Sequence, residues 1–487
     1  MNRQNFLPHI ALAVVIVLIA AFAGQIRRWE NEQKNNPKPK RGTVAKENGY
    51  GGGKRDSRPQ RSFDSDEKIL VKFRTGTDIS RIRNITLRFN DELKDEFENV
   101  KGWTAIDDMD DADINDVINE YKSLPEVESV QGDYKISIDP QENYLPVLYT
   151  RTEGEDAVIT SGKPNDPMFE NQWALSNTGQ EGGTTKADIK ALEAWAKTTG
   201  SKKIVVAVLD SGVYYIHDDL AQNIWHPSEN NLENYYDDEL GYVDDENGFS
   251  AVDNNSDPMD ENGHGTHCAG VIGATGDNGT GIAGVNWNVQ IMPLKFMNKR
   301  GFGSTSAAIQ AINYVIERKK QGVNVRIISA SWGSTQYSKA LEDAIRAAGE
   351  EGIIFIAASG NSTEDTDKNP HYPANYKLPN VVSVAALDRN DKLASFSNYG
   401  AKTVHVAAPG ATIVSTWIEN GFRDASGTSM ATPHVAGVAA LILSKEPNIT
   451  VEKLKERLIN STDPLPTLKG KVVSGGRINA AKAVKAE

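Results

Sequence analysis

Residues 204–212 read Ile204-Val-Val-Ala-Val-Leu-Asp-Ser-Gly212, six apolar residues running without a break into an acid and then a turn. An unbroken, β-branched run predicts a strand buried on both faces, because a strand with one wet face would alternate. Three runs of the same kind follow, Val325–Ala330, Ile353–Ala358 and Val381–Ala386, with helical spacing over 305–319 and 336–350 between them. Strands alternating with helices predict an α/β fold, a mainly parallel sheet covered by helices on both faces. Sheets of this kind place active sites beyond the carboxyl ends of their strands. The polar residues just past the runs are therefore the candidates, and Asp210 is the first.

Two further stretches carry chemistry. Gly263-His264-Gly265-Thr266-His267-Cys268-Ala269-Gly270 puts two histidines three apart at a helix start. A metal pair is one reading, but His-Glu-x-x-His is absent and no third ligand stands nearby, so His267 is expected to pack within its helix. Gly427-Thr428-Ser429-Met430-Ala431-Thr432-Pro433-His434 puts a serine among small residues near a helix N-terminus, where free amides favour developing negative charge. Alone, Asp210 could merely cap a turn.

Taken together and in this order, the three stretches resemble the subtilisin-like serine proteases, the subtilases, with thermitase-like features. The order Asp…His…Ser differs from the Ser…Asp/Glu…His of α/β-hydrolases. The resemblance covers residues 164–487 and extends to Gly475-Gly476-Arg477-Ile478-Asn479-Ala480-Ala481, similar to a subtilase's last helix. It implies a nucleophile at Ser429, a general base at His264, and Asp210 orienting the imidazole. It also implies that Asn361, in Ala358-Ser359-Gly360-Asn361, donates to the oxyanion beside the Ser429 amide. Cys268 resembles the free cysteine that some thermitase-like members carry next to the histidine.

Further implications concern substrate and metal. Ser331-Trp332-Gly333 and Gly301-Phe302-Gly303 look like the two rims that clamp an extended peptide through main-chain hydrogen bonds; packing of Trp332 in the sheet is the rival. Asp166, Asp219 and Asn278, with carbonyls of 277–282, match the family's structural calcium site, and hard oxygen donors suit Ca²⁺. Residues 237–261 hold ten acids and no Lys or Arg, either more calcium sites or a solvated loop.

The remainder sets the context. Residues 5–26 form the one long apolar run, with Arg3 before it and Ala21-Phe22-Ala23 near its end. Residues 1–29 thus read as a signal peptide cut after Ala23, or as a membrane anchor. Residues 30–62, polar and basic with Gly51-Gly52-Gly53, read as a disordered linker. A β-like stretch at Lys68–Phe73, helical spacing at 78–89, a strand over Phe97–Ile106, a helix near 111–123 and strands within Val127–Ile138 suggest a small ferredoxin-like α+β domain over 63–138. Subtilases commonly carry such a domain as a propeptide that assists folding and inhibits the enzyme until cut, here within a connecting segment at 139–163. The implied partners are protein or peptide substrates and the chain's own propeptide, with a membrane tether possible through 5–26.

Composition excludes other classes. At 487 residues, 24% charged and 39% hydrophobic, the chain is not a multispanning membrane protein, a coiled coil or wholly disordered. One cysteine excludes an intrachain disulfide and a Cys-rich zinc site, and a net charge of −13 argues against a nucleic-acid binder. The expected protein is an exported serine endopeptidase, extracellular or periplasmic. A serine esterase and a catalytically silent subtilase-fold binder are the alternatives.

Overall fold

The computed structural model describes residues 68–109, 112–139, 145–146, 163–227, 235–237, 241–243, 245–252 and 257–485. The leader, the linker and most of the connecting segment lie outside these. Among the described residues no helix is long and apolar enough to cross a membrane.

The N-terminal part contains β1 (Lys68–Phe73), α1 (Ile79–Phe89), β2 (Asp91–Asp95), β3 (Trp103–Asp108), α2 (Ile114–Lys122) and β4 (Val127–Gly132). Its antiparallel sheet has the order β2-β3-β1-β4, the split βαβ topology. Asp78 and Asp113 cap the two helices, accepting from Arg81 N at 2.8 Å and Asn115 N at 2.9 Å. One element departs from expectation. The strand expected from Phe97 begins only at Trp103, and the charged stretch Asp91–Asp95 forms a strand instead. That strand lies at the sheet edge, where no apolar run is required, and Asn90 in the left-handed region (φ 64°) turns the chain into it. The short strand β5 (Lys135–Ser137) follows.

The large part is built on a nine-stranded sheet. Its order is Phe249–Ser250, Asn288–Lys295, Gly200–Asp210, Val325–Ala330, Ile354–Ala358, Val381–Leu387, Val406–Pro409, Gly476–Ile478 and Thr462–Pro464. Neighbours are parallel except the last pair. We call Gly200–Asp210 β6 and, in chain order, His264–Gly273 α3, Phe302–Ser304 β7, Thr305–Lys320 α4, Val325–Ala330 β8, Lys339–Glu350 α5 and Thr428–Lys445 α6. Along β6, Ile204, Val206 and Val208 enter one core with α3 and α6, whereas Val205, Ala207 and Leu209 enter the other with α4 and α5. The period of two sends alternate side chains to opposite helical layers, so every position is apolar. Each of the valines, Ile204 and Leu209 contributes about 1.5–3 kcal/mol on burial.

The small sheet lies on α4 and α5. Trp103 Nε1 donates to Asp343 Oδ2 at 3.1 Å, Lys72 Nζ lies 3.4 Å from the same oxygen, and Asn99 N donates to Asn313 Oδ1 at 2.8 Å. Gln131 spans the start of α5, donating to Ser338 Oγ at 2.8 Å and accepting from Lys339 N at 2.9 Å.

Candidate active site

β6 ends on Asp210, as the buried run requires. Asp210 and His264 are almost wholly buried, and His264 Nδ1 lies 2.7 Å from Asp210 Oδ1, which also accepts from Ser211 N at 2.8 Å. With Nδ1 engaged, His264 Nε2 has no hydrogen-bond partner. The imidazole is thus held in one orientation with its second nitrogen available. Its helix can approach so closely because position 265 is glycine: a Cβ there would stand 2.1 Å from Gly212 O.

Two residues that sequence reasoning passed over hold this corner. Buried Asp260 accepts from Asn262 N, Gly263 N and Thr266 N at 2.9–3.0 Å, so its carboxylate caps α3. It also accepts from Ser211 Oγ at 2.9 Å, and Ser211 Oγ in turn accepts from Gly265 N at 3.0 Å. The signal for Asp260 was an acid just before a helix start. His267 packs as expected, with Nε2 2.9 Å from Ile413 O and its pKa lowered to about 3 by burial.

Ser429 is the second residue of α6, a helix whose residues 428–443 are all buried. Its Oγ donates to Ser331 O at 3.0 Å, while its own carbonyl accepts from Ser331 Oγ at 2.9 Å and Cys268 Sγ at 3.5 Å. Asn361 is tied to the same helix start. Its Oδ1 accepts from Thr428 N at 2.9 Å and Thr428 Oγ1 at 2.8 Å, which fixes the amide. A Cβ added at Gly427 would lie 3.2 Å from Asn361 Nδ2 and 3.5 Å from Ser429 N, so both nitrogens flank one point at the helix N-terminus. That arrangement suits a developing oxyanion.

The two expected rims face each other across a third strand. Gly301 leads into β7, and Phe302, Gly303 and Ser304 pair antiparallel with Ser137, Ile136 and Lys135 of β5. Ile138 N donates to Gly301 O at 3.0 Å, and Ser137 bridges antiparallel to Gly333 on the other rim. The indole of Trp332 is fully buried and donates to Leu209 O at 2.8 Å, so this residue offers the cleft its backbone only. Phe302 is partly exposed beneath Lys135 Nζ.

Asp166, Asp219 and Asn278 also come together. Asp166 Oδ2 accepts from Asp277 N at 2.7 Å; Asp219 accepts from Asn278 Nδ2 and Ile282 N, each at 2.9 Å. Gly281 (φ 49°) permits the loop, since a Cβ there would sit 2.5 Å from Asp219 Oδ2. Burial raises Asp166 to about 6 and, with help from the Asp166 charge, Asp219 to about 7. Two buried carboxylates at this cost, beside an amide oxygen and a carbonyl-rich loop, fit a hard divalent cation. The acidic stretch 237–261 reads differently. Among its described residues, Asp245 is fully buried against Arg318 and Tyr314, and Asp260 caps α3.

The pattern that describes the subtilase family matches residues 201–478. The chain belongs to the subtilase family. It is similar to thermitase from Thermoactinomyces vulgaris, 35% identical over 327 residues, which are 66% of this chain and 99% of thermitase. It is equally similar to "Subtilisin-like protease 2" of Plasmodium falciparum, 35% identical over 358 residues, 72% of this chain, but spans only 25% of that protein. Among solved structures, a protease from Pseudoalteromonas arctica PAMC 21717 superposes with a TM-score of 0.55 at 30% identity, covering 66% of this chain and 98% of that one. As a subtilase, the chain is a subtilisin-type serine endopeptidase, a hydrolase whose family acts on protein substrates.

Proposed function

We propose that this subtilase is an exported endopeptidase that cleaves through Asp210, His264 and Ser429 and is made as a zymogen whose small domain is its own inhibitor. The observation that carries the catalytic reading is the buried 2.7 Å contact from Asp210 Oδ1 to His264 Nδ1, which leaves Nε2 free to act as base. Turning from Ser331 O to that nitrogen, Ser429 Oγ loses its proton to His264 and attacks the substrate carbonyl carbon. Asp210 steadies the imidazolium, while Asn361 Nδ2 and the Ser429 amide hold the oxyanion. His264 then returns the proton to the leaving amine, and water repeats the sequence on the acyl-enzyme.

The zymogen reading is supported by β5, which fills the cleft as the third strand between both rims. The cut is expected within 139–163. Export rests on residues 5–26, cleaved or kept as a tether. Calcium would be held by Asp166, Asp219, Asn278 and carbonyls of 277–282, and would supply structural stability there.

Ser429→Ala is expected to abolish casein hydrolysis and fluorophosphonate labelling together; casein cleavage by that purified variant would refute the assignment. A mature N-terminus inside 70–130 would refute the zymogen reading.

A further inference from the structure

Pairing of the cleft segment fixes where the next residue goes. Ser137 stands opposite Gly333 in antiparallel register, so the chain from 137 to 139 runs back towards Ser331, the residue whose carbonyl accepts from Ser429 Oγ. Asp139 is therefore the residue presented beside the nucleophile. Its side chain is largely buried, and Oδ2 lies 3.2 Å from Nε2 of His371, close enough to pair but not aligned as a hydrogen bond.

His371 is placed to read that position. A Cβ on Gly333 would fall 2.0 Å from His371 Nε2, and one on Gly360 would fall 3.1 Å from its Cγ. The ring thus fills the space between one cleft rim and the residue preceding Asn361, which leaves a short pocket with a nitrogen at its end. The wall is fixed to the rim: Ser334 and Tyr372 exchange both backbone hydrogen bonds at 2.8 Å, and His371 N donates to Asn375 Oδ1 at 3.2 Å. His371 is itself nearly buried, so an oxygen entering this space meets Nε2, and a contact from an imidazole N–H to an ionised carboxylate is stronger than one to a neutral oxygen.

We infer that His371 makes this protease selective for an aspartate immediately before the scissile bond, and that Asp139 occupies that same pocket in the zymogen. This rests on the hydrolytic reading above. The reaction is unchanged: Ser429 Oγ bonds to the aspartyl carbonyl carbon, the C–N bond breaks, the amine leaves with the proton from His264, and water regenerates the serine. The ring allows little room for a large apolar side chain, and an asparagine would lose the charge-assisted contact.

The test uses the full chain, allowed to mature, with Ile-Ser-Ile-Asp-aminocoumarin and its Asn and Phe counterparts; aminocoumarin takes the place of Pro140. Asp is expected to exceed both in kcat/KM by about tenfold or more, as a charge-assisted contact implies. In His371→Ala and His371→Gln the Asp-to-Asn ratio is expected to fall towards one. Equal cleavage of all three peptides, or an unchanged ratio in both variants, overturns the inference. If no peptide is cut, the hydrolytic reading has failed, and the pocket is then judged separately. In the Ser429→Ala full chain, Asp139→Ala and His371→Ala should each lower Tm, the double variant lowering it by less than the sum; additive losses would overturn the pocket.

Discussion

Asp245→Asn is a sharp test of what the acidic stretch is for. Asp245 and Arg318 are 0% and 1% exposed in their side chains. The carboxylate accepts from Arg318 Nε at 2.9 Å, from Arg318 Nη2, from Tyr314 OH at 2.5 Å and from Tyr235 N at 3.1 Å. The guanidinium also faces the rings of Trp225, Tyr235 and Tyr314 at 5.7–5.9 Å. Asparagine conserves the shape and removes a full negative charge from beside a buried cation, at a cost of about 3–5 kcal/mol. At 2–4 °C per kcal/mol for a large domain, Tm should fall by roughly 10 °C. The assay is thermal unfolding in a Ser429→Ala background, which suppresses self-digestion, with and without added calcium. The loss should be the same in both, and Arg318→Met in the same chain should recover much of it. A loss under 1 kcal/mol would refute the buried-pair argument; a loss that appears only with calcium would return Asp245 to the metal ligands.

Asn361→Ala should lower kcat by about 10²–10³ with less effect on KM, a magnitude taken from subtilisin itself; equal losses in both would make Asn361 a binding residue. Chelation with EGTA should lower Tm and hasten self-digestion, and Asp219→Asn should make the protein indifferent to the chelator; a wild-type chain already indifferent would remove the calcium reading. Burial lowers Lys455 to about 8 from 10.5. The unfolded chain therefore binds the extra proton between those values, so this residue's contribution to stability rises with pH across that window. Lys455→Met should accordingly stabilise the protein at pH 7 by about 1–3 kcal/mol, an advantage gone by pH 10.5; no gain at pH 7 would contradict the burial argument.

How far the sequence carried depends on which residues had local reasons to be where they are. The run 204–209 was legible because burial on both faces leaves no polar gap, and Asp210, His264 and Ser429 because each stands at the end of a strand or the start of a helix. β2 was not, since an edge strand needs no apolar run and Asp91–Asp95 offers none. Asp245 looked solvated or metal-bound because its counter-charge, Arg318, lies 73 residues away. His371 gave no signal at all: its place in the cleft comes from the pairing of Tyr372 with Ser334. For Trp332 the sequence left rim and core packing open, and the direction of its indole was fixed only by the core behind it.

Cys268 is the one thiol of the chain, fully buried, with its pKa raised well above the ordinary value by burial and the nearby Asp210 charge. It is therefore inert towards disulfide reagents and maleimides while the fold is closed. Its sulfur rests on the carbonyl of Ser429, so any opening that admits a reagent also disturbs the start of α6. The unmodified protein thus carries a chemical clock at its centre: the rate of thiol labelling times the opening of the core around Cys268, without a probe having to be introduced.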